Sequence, residues 1–184
     1  MSRAWTEETK RLFVACDLPH AAAVAIGRWQ EAELEPHDEL RVASSVHLTL
    51  CFLGDMVVDR VPQVVEALST VPFSRFELDV ADPLFLPVRG AKRVVALELV
   101  DHRGALVALQ ADVARALAEG GLYKPEKRPF LPHLTVARFR HHGQPFSLQN
   151  VNVSRFGVEQ IVLYSSLLER AGAVHTPVAV FTAS

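Results

Sequence analysis

Hydrophobic residues along the chain change period several times, and each change marks an element. Residues 11 to 18 (RLFVACDL) form a short run rich in β-branched and aromatic residues that suits a buried strand. Pro19 then opens a stretch with helical spacing to about Leu34, with Val24, Ile26 and Trp29 near one face. Glu35 to Glu39 reads as a loop, and Arg41 to Leu53 as a strand that stops at Gly54-Asp55. Asp59 is placed to cap a second helix through Thr70, on which Val61, Val64, Val65 and Leu68 recur at helical spacing. Arg75 to Leu86 and Arg93 to Val100 predict a hairpin around the Pro87 to Ala91 loop.

Asp101 is placed to cap a third helix to Glu119, with Leu106, Leu109, Val113 and Leu117 on one stripe and Gly120-Gly121 as its stop. Leu131 to Phe139, Phe156 to Glu169 and Val174 to Thr182 read as strands, and Pro177 suits the last to a sheet edge. The order lacks strict βαβα alternation, so the fold class expected is α+β with mostly antiparallel pairing.

Composition narrows the class. The chain has 184 residues, 49% of them hydrophobic and 22% charged, which suits one folded domain or two small lobes sharing a core. Its formal net charge is −2, so a broad phosphate-neutralising surface is not expected; an RNA substrate would be gripped at an end. Lys124, Lys127, Arg128, Arg138 and Arg140 form a local basic cluster. Cys16 and Cys51 lie in apolar runs and read as free thiols of a reducing compartment. The N-terminal stretch is polar and the apolar run after it too short for a signal sequence or a membrane span, so the expected location is the cytoplasm.

Two strands carry the candidate chemistry. Residues 47 to 50 read His-Leu-Thr-Leu and residues 133 to 136 read His-Leu-Thr-Val. Residues two apart in a strand share a face, so His47 lies with Thr49 and His133 with Thr135, while the aliphatic residues anchor the other face. A single His-x-Thr strand is commonly structural. Two copies, each after a strand, a helix and a turn-like stretch (Ala43-Ser44-Ser45 and Arg128-Pro129-Phe130), point to paired function.

Phosphodiester hydrolysis needs one neutral imidazole to accept a proton from water and one protonated imidazole to supply the leaving oxygen. Histidine holds either form near neutrality. Threonine hydroxyls would donate to the phosphoryl oxygens where charge builds up. Eight histidines are available, but neither motif has a carboxylate at metal-ligand spacing, no HExxH occurs, and His141-His142 falls in an expected loop. No glycine-rich phosphate loop and no GxSxG is present, so no metal, nucleotide or other cofactor is expected.

The segments RLFVACDLP, VHLTLCFLGDM, RPFLPHLTVARFR and IVLYSSLLERAG resemble the RNA 2′,3′-cyclic phosphodiesterases of the two-histidine phosphoesterase superfamily, also called 2′-5′ RNA ligases. The resemblance runs over nearly the whole chain. It implies two similar lobes related by an approximate two-fold, with a cleft between them carrying both motifs, within one domain of residues 1–184. It also implies metal-free opening of a 2′,3′-cyclic phosphate to a 2′-phosphate, with His47 as proton donor, His133 as acceptor, and 2′-5′ joining of RNA ends in reverse.

Arg138 matches an arginine frequent in the family. Strict alternation puts it on the face opposite His133, so it reaches the phosphate only if the strand bulges or twists. The same alternation puts Cys51 on the His47 face. Arg128 and Phe130, in the approach to the second motif, join Arg138 as candidate substrate-binding residues. The partners expected are RNA ends or small cyclic-phosphate nucleotides, with no membrane and a monomer as the simplest state. The competing reading is a non-catalytic module that captures phosphorylated nucleotide ends.

Overall fold

The computed structural model describes residues 8–153, 155–169 and 172–184. The N-terminal stretch through Glu7 and the Arg170-Ala171 pair of the last motif segment lie outside them. In chain order the elements are β1 (Thr9–Asp17), α1 (His20–Glu33), β2 (Leu40–Val42), β3 (His47–Val57), α2 (Val61–Ser69), β4 (Phe76–Leu86) and β5 (Lys92–Val100). There follow α3 (Ala105–Glu119), β6 (His133–Gly143), β7 (Arg155–Val158), β8 (Gln160–Glu169) and β9 (Gly172–Thr182).

The strands form two antiparallel sheets, one ordered β3-β1-β8-β9 and the other β2-β6-β5-β4-β7. This is the α+β, antiparallel, two-lobed arrangement expected. Each motif strand pairs with the strand that precedes its helix: β3 with β1, and β6 with β5. The two motif strands belong to different sheets and lie against each other.

Alternation sorts the side chains of the central strands. Leu12, Val14 and Cys16 of β1 and Val95, Leu97 and Leu99 of β5 join the main core with Ile26 and Leu34, and with Leu106, Leu109, Val113 and Leu117 of α3. Phe13, Ala15 and Ala96, from the opposite faces, are also wholly buried but lie outside that cluster. Phe13 lies instead against the His47 ring. Burying one large aliphatic side chain is worth ~1.5–3 kcal/mol, so the apolar stripe of α3 is sufficient reason for it to dock as it does.

Four expectations need correction. The run from Arg41 to Leu53 is two strands in different sheets, because the chain bends at Ser44-Ser45; β3 then continues past Gly54-Asp55 to Val57. Phe156 to Glu169 likewise spans two strands: β7 ends at Val158, and β8 begins in the other sheet at Gln160. Asp59 caps nothing with its side chain, since it sits inside a 3-10 turn (Val58–Arg60) ahead of α2. Val24 points outward; Ala22, Ile26, Trp29 and Gln30 form the buried side of α1.

Three other expectations are met. The β4-β5 hairpin forms, and β9 with Pro177 is an edge strand. Asp101 serves α3 from the preceding turn, its carboxylate accepting from the Ala105 and Val107 amides at 3.0 Å each.

Candidate active site

Both motif strands contain a β-bulge at the fourth motif residue. In β3, Ala15 pairs with Thr49 and Val14 with Cys51, leaving Leu50 as the extra residue. In β6, Ala96 pairs with Thr135 and Val95 with Ala137, leaving Val136 as the extra residue. Each bulge inverts the alternation beyond it.

The consequences follow from register. Residues directly opposite in an antiparallel pair share a face. His47, Thr49 and Phe52 therefore share the face of their partners Asp17, Ala15 and Phe13. His133, Thr135 and Arg138 share the face of Glu98, Ala96 and Val94. Arg138 thus joins the motif face, which strict alternation does not allow. Cys51 moves the other way: it is buried in the core, with its Sγ 3.8 Å from Nε2 of Gln110, and Phe52 takes the place on the His47 side expected for it.

The bulged carbonyls are held. Nε2 of Gln30, in α1, donates to the Val136 carbonyl at 2.9 Å and to that of Ala43 at 3.1 Å, and the Ala43 amide also donates to Val136 at 2.9 Å. Nε2 of Gln110, in α3, donates to the Leu50 carbonyl at 3.4 Å. Each glutamine therefore lies in the helix of one strand-helix-strand unit and serves the motif strand of the other. Gln30 gives the bulged Val136 carbonyl a second donor and ties it to the Ala43 carbonyl, bracing the bulge that re-aims Arg138.

The two imidazoles differ in setting. Nδ1 of His133 lies 2.8 Å from the Leu131 carbonyl. A carbonyl can only accept, so Nδ1 donates to it, which leaves Nε2 as the nitrogen able to exchange a proton with a bound group. His47 packs on Phe13 with ring centroids 4.9 Å apart and stands at 90° to His175 at 5.1 Å. Burial lowers its pKa to about 4, helped by His175 and by the Arg138 charge, while a hydrogen bond to the Ser45 backbone opposes the shift. The packing of β3 against β6 brings the two motif strands together, and the Arg138 charge bears on His47 across that contact.

Phe13 anchors the His47 side, with Phe52 stacked at 5.5 Å, Tyr164 stacked at 5.3 Å and His175 edge-on at 4.9 Å. The Tyr164 hydroxyl donates to Asp17 at 2.7 and 2.8 Å, and burial followed by Asp17 raises its pKa, so it stays a donor. His175 and Tyr164 escape a reading of the sequence because neither lies in a repeated motif; β8 and β9 bring them to Phe13. Nδ1 of His175 is buried and has no hydrogen-bond partner among the described residues, and burial lowers the pKa of this ring.

Arg128 is highly exposed and pairs with Glu126 at 3.7 Å, and Phe130 packs against the core. His141 and His142 lie in β6, not in a loop. Among the described residues no three His, Cys, Asp or Glu side chains form a metal-ligand group. A surface cavity of about 440 Å³, bordered by Pro19, Ala22, Arg75 and Arg155, contains none of the motif residues.

A bound anion favours protonated histidine. Titration of His47 by NMR is therefore expected to give a midpoint near pH 4 in the free protein and a higher one with saturating inorganic phosphate. His175→Phe should also raise the free-protein value, since it removes a group that disfavours charge on His47. An ordinary midpoint near 6.5 in the empty site would contradict this electrostatic picture.

Two antiparallel α+β lobes, facing each other through paired His-x-Thr-x strands, define a two-histidine phosphoesterase fold. Comparison with known proteins agrees. The chain belongs to the 2′-5′ RNA ligase superfamily, whose family profile matches residues 18–167. The RNA 2′,3′-cyclic phosphodiesterase of Escherichia coli K12 is 28% identical over 172 residues, covering 92% of this chain and 94% of that protein. The RNA 2′,3′-cyclic phosphodiesterase of Aeropyrum pernix is 29% identical over 136 residues, 70% of this chain and 77% of that one. The crystal structure of E. coli LigT complexed with 3′-AMP shares the fold with a TM-score of 0.83 at 24% identity, over 96% of this chain and 99% of that one.

Proposed function

We propose that this protein opens RNA 2′,3′-cyclic phosphates to 2′-phosphates, with His47 as general acid and His133 as general base. The observation that carries the reading is the paired bulge, which sets the histidine, the threonine and the sixth side chain counted from the histidine (Phe52 or Arg138) on one face of each motif strand. Family membership and the named activity of the relatives support it.

In this mechanism Nε2 of His133 takes a proton from water as the water oxygen bonds to phosphorus. The bond from phosphorus to O3′ breaks, and His47 protonates the departing oxygen. The products are a 2′-phosphate and a free 3′-hydroxyl; proton exchange with solvent resets both rings. Thr49, Thr135 and Arg138 donate to the non-bridging oxygens as charge accumulates there. Since His47 sheds its proton easily in the empty site, the anionic substrate recruits the acid by raising its pKa. With a 5′-hydroxyl in place of water as the attacking group, the same residues would join it to a cyclic end through a 2′-5′ bond, O3′ again leaving with a proton from His47.

The whole chain acts as one two-lobed unit, because the four-stranded sheet joins strands from both ends of it while the five-stranded sheet is built from the segments between. We place it in the cytoplasm as a monomer. Cys16 and Cys51 are free and buried, and burial pushes their pKa values up to about 12 and about 11, so these thiols are unreactive. Among the described residues no helix is long and apolar enough to cross a membrane.

An RNA ending in a 2′,3′-cyclic phosphate, incubated with the protein and EDTA, tests the proposal. A 2′-phosphate end is expected. Stoichiometric binding without ring opening would instead identify a capture module, and activity restored only by added zinc or manganese would identify a metal enzyme.

A further inference from the structure

The short strand β2 adds to the outer side of β6, with Leu40 opposite Phe139, Arg41 opposite Arg138 and Val42 opposite Ala137. Leu40 is buried, Val42 and Phe139 pack against the core, and Arg41 and Arg138 are exposed. The two arginines therefore stand side by side on the face that also carries His133 and Thr135. Directly opposed like charges on neighbouring strands are destabilising.

The arginines that form ion pairs are Arg75, Arg115, Arg128 and Arg155, and among the described residues neither Arg41 nor Arg138 joins one. The next residue on that face, Arg140, is tied down: its Nε donates to the Asp38 carbonyl at 2.9 Å, and its amide pairs it with Glu39. Arg41 and Arg138 thus form an exposed pair of cations with no carboxylate partner among the described residues, one strand spacing of about 4.8 Å across.

We propose that Arg41 holds the phosphodiester group preceding the cyclic end, so that the site prefers a cyclic phosphate at the end of an RNA chain to one on a mononucleotide. This rests on the assignment of the cleft as the cyclic-phosphate site, with Arg138 committed to the reacting phosphate. Arg41, one strand further out, then meets the next anion along the chain. A mononucleotide has no such group to offer.

The test compares a 2′,3′-cyclic mononucleotide with a trinucleotide bearing the same cyclic end, using the parent protein, Arg41→Ala and Arg41→Lys. Arg41→Ala is expected to lower kcat/KM for the trinucleotide about tenfold, mainly through KM, with mononucleotide turnover within twofold of the parent. Arg41→Lys should recover part of the loss. On the trinucleotide, the slope of log kcat/KM against log salt should flatten by about 0.7 in Arg41→Ala, the value for one phosphate contact on a single strand. Equal losses on both substrates, or no loss on either, would overturn the Arg41 assignment. A parent protein that opens neither substrate would overturn the function itself, so the two failures are distinguishable.

Discussion

His133→Ala should lower kcat for ring opening by about 10²–10⁴, and His47→Ala by a similar factor, since each removes one partner of a proton-transfer pair. Stability should hardly change. Both rings are half-buried at the start of their strands, and the aliphatic neighbours Leu48 and Leu134 fill the core. Circular dichroism and thermal melting would confirm folding beside the kinetics. The double variant should fall little below the worse single one, because residues that act as a unit are not additive. A folded double variant with undiminished turnover would end the acid/base assignment.

Arg138→Ala carries the second large effect. Loss of one preorganised donor to a developing charge costs about 10²–10³ in kcat. This substitution should also leave a separate electrostatic mark, since the Arg138 charge helps hold the His47 pKa down and its removal should raise the His47 midpoint. A drop in rate with that midpoint unmoved would place the guanidinium away from His47. Gln30→Leu should give a weaker copy of both effects by loosening the Val136 bulge. Added to Arg138→Ala, it should cost little further activity, because its influence is carried through the same guanidinium.

These two predictions mark a boundary in what could be read without coordinates. The paired tetrapeptides were legible because strand alternation is local: two residues apart means one face, whatever the rest of the chain does. The helix stripe from Leu106 to Leu117 and the stop at Gly120-Gly121 were legible for the same reason. Arg138 and Cys51 were not. Both lie beyond a bulge whose cause is distant in sequence: the bulged carbonyl at Val136 is met by Gln30 and that at Leu50 by Gln110. Alternation counted through either bulge gives the wrong face for every residue up to the next irregularity.

Breaks in strands behaved similarly. The runs from Arg41 to Leu53 and from Phe156 to Glu169 look continuous because an apolar strand residue satisfies either sheet equally well. Which sheet it enters depends on the backbone partners that other segments provide. The pairing of Arg41 with Arg138 and the gathering of Tyr164 and His175 around Phe13 have the same origin.

The sequence by itself determined the α+β class, the helices with their buried stripes, and the two imidazole-hydroxyl pairs, all of which depend on the period of a single segment. Tertiary structure alone decided which lobe each strand joined, which way the chain faced after each bulge, and how readily His47 holds a proton. Those outcomes depend on hydrogen-bond partners, burial and charges contributed by segments far away along the chain.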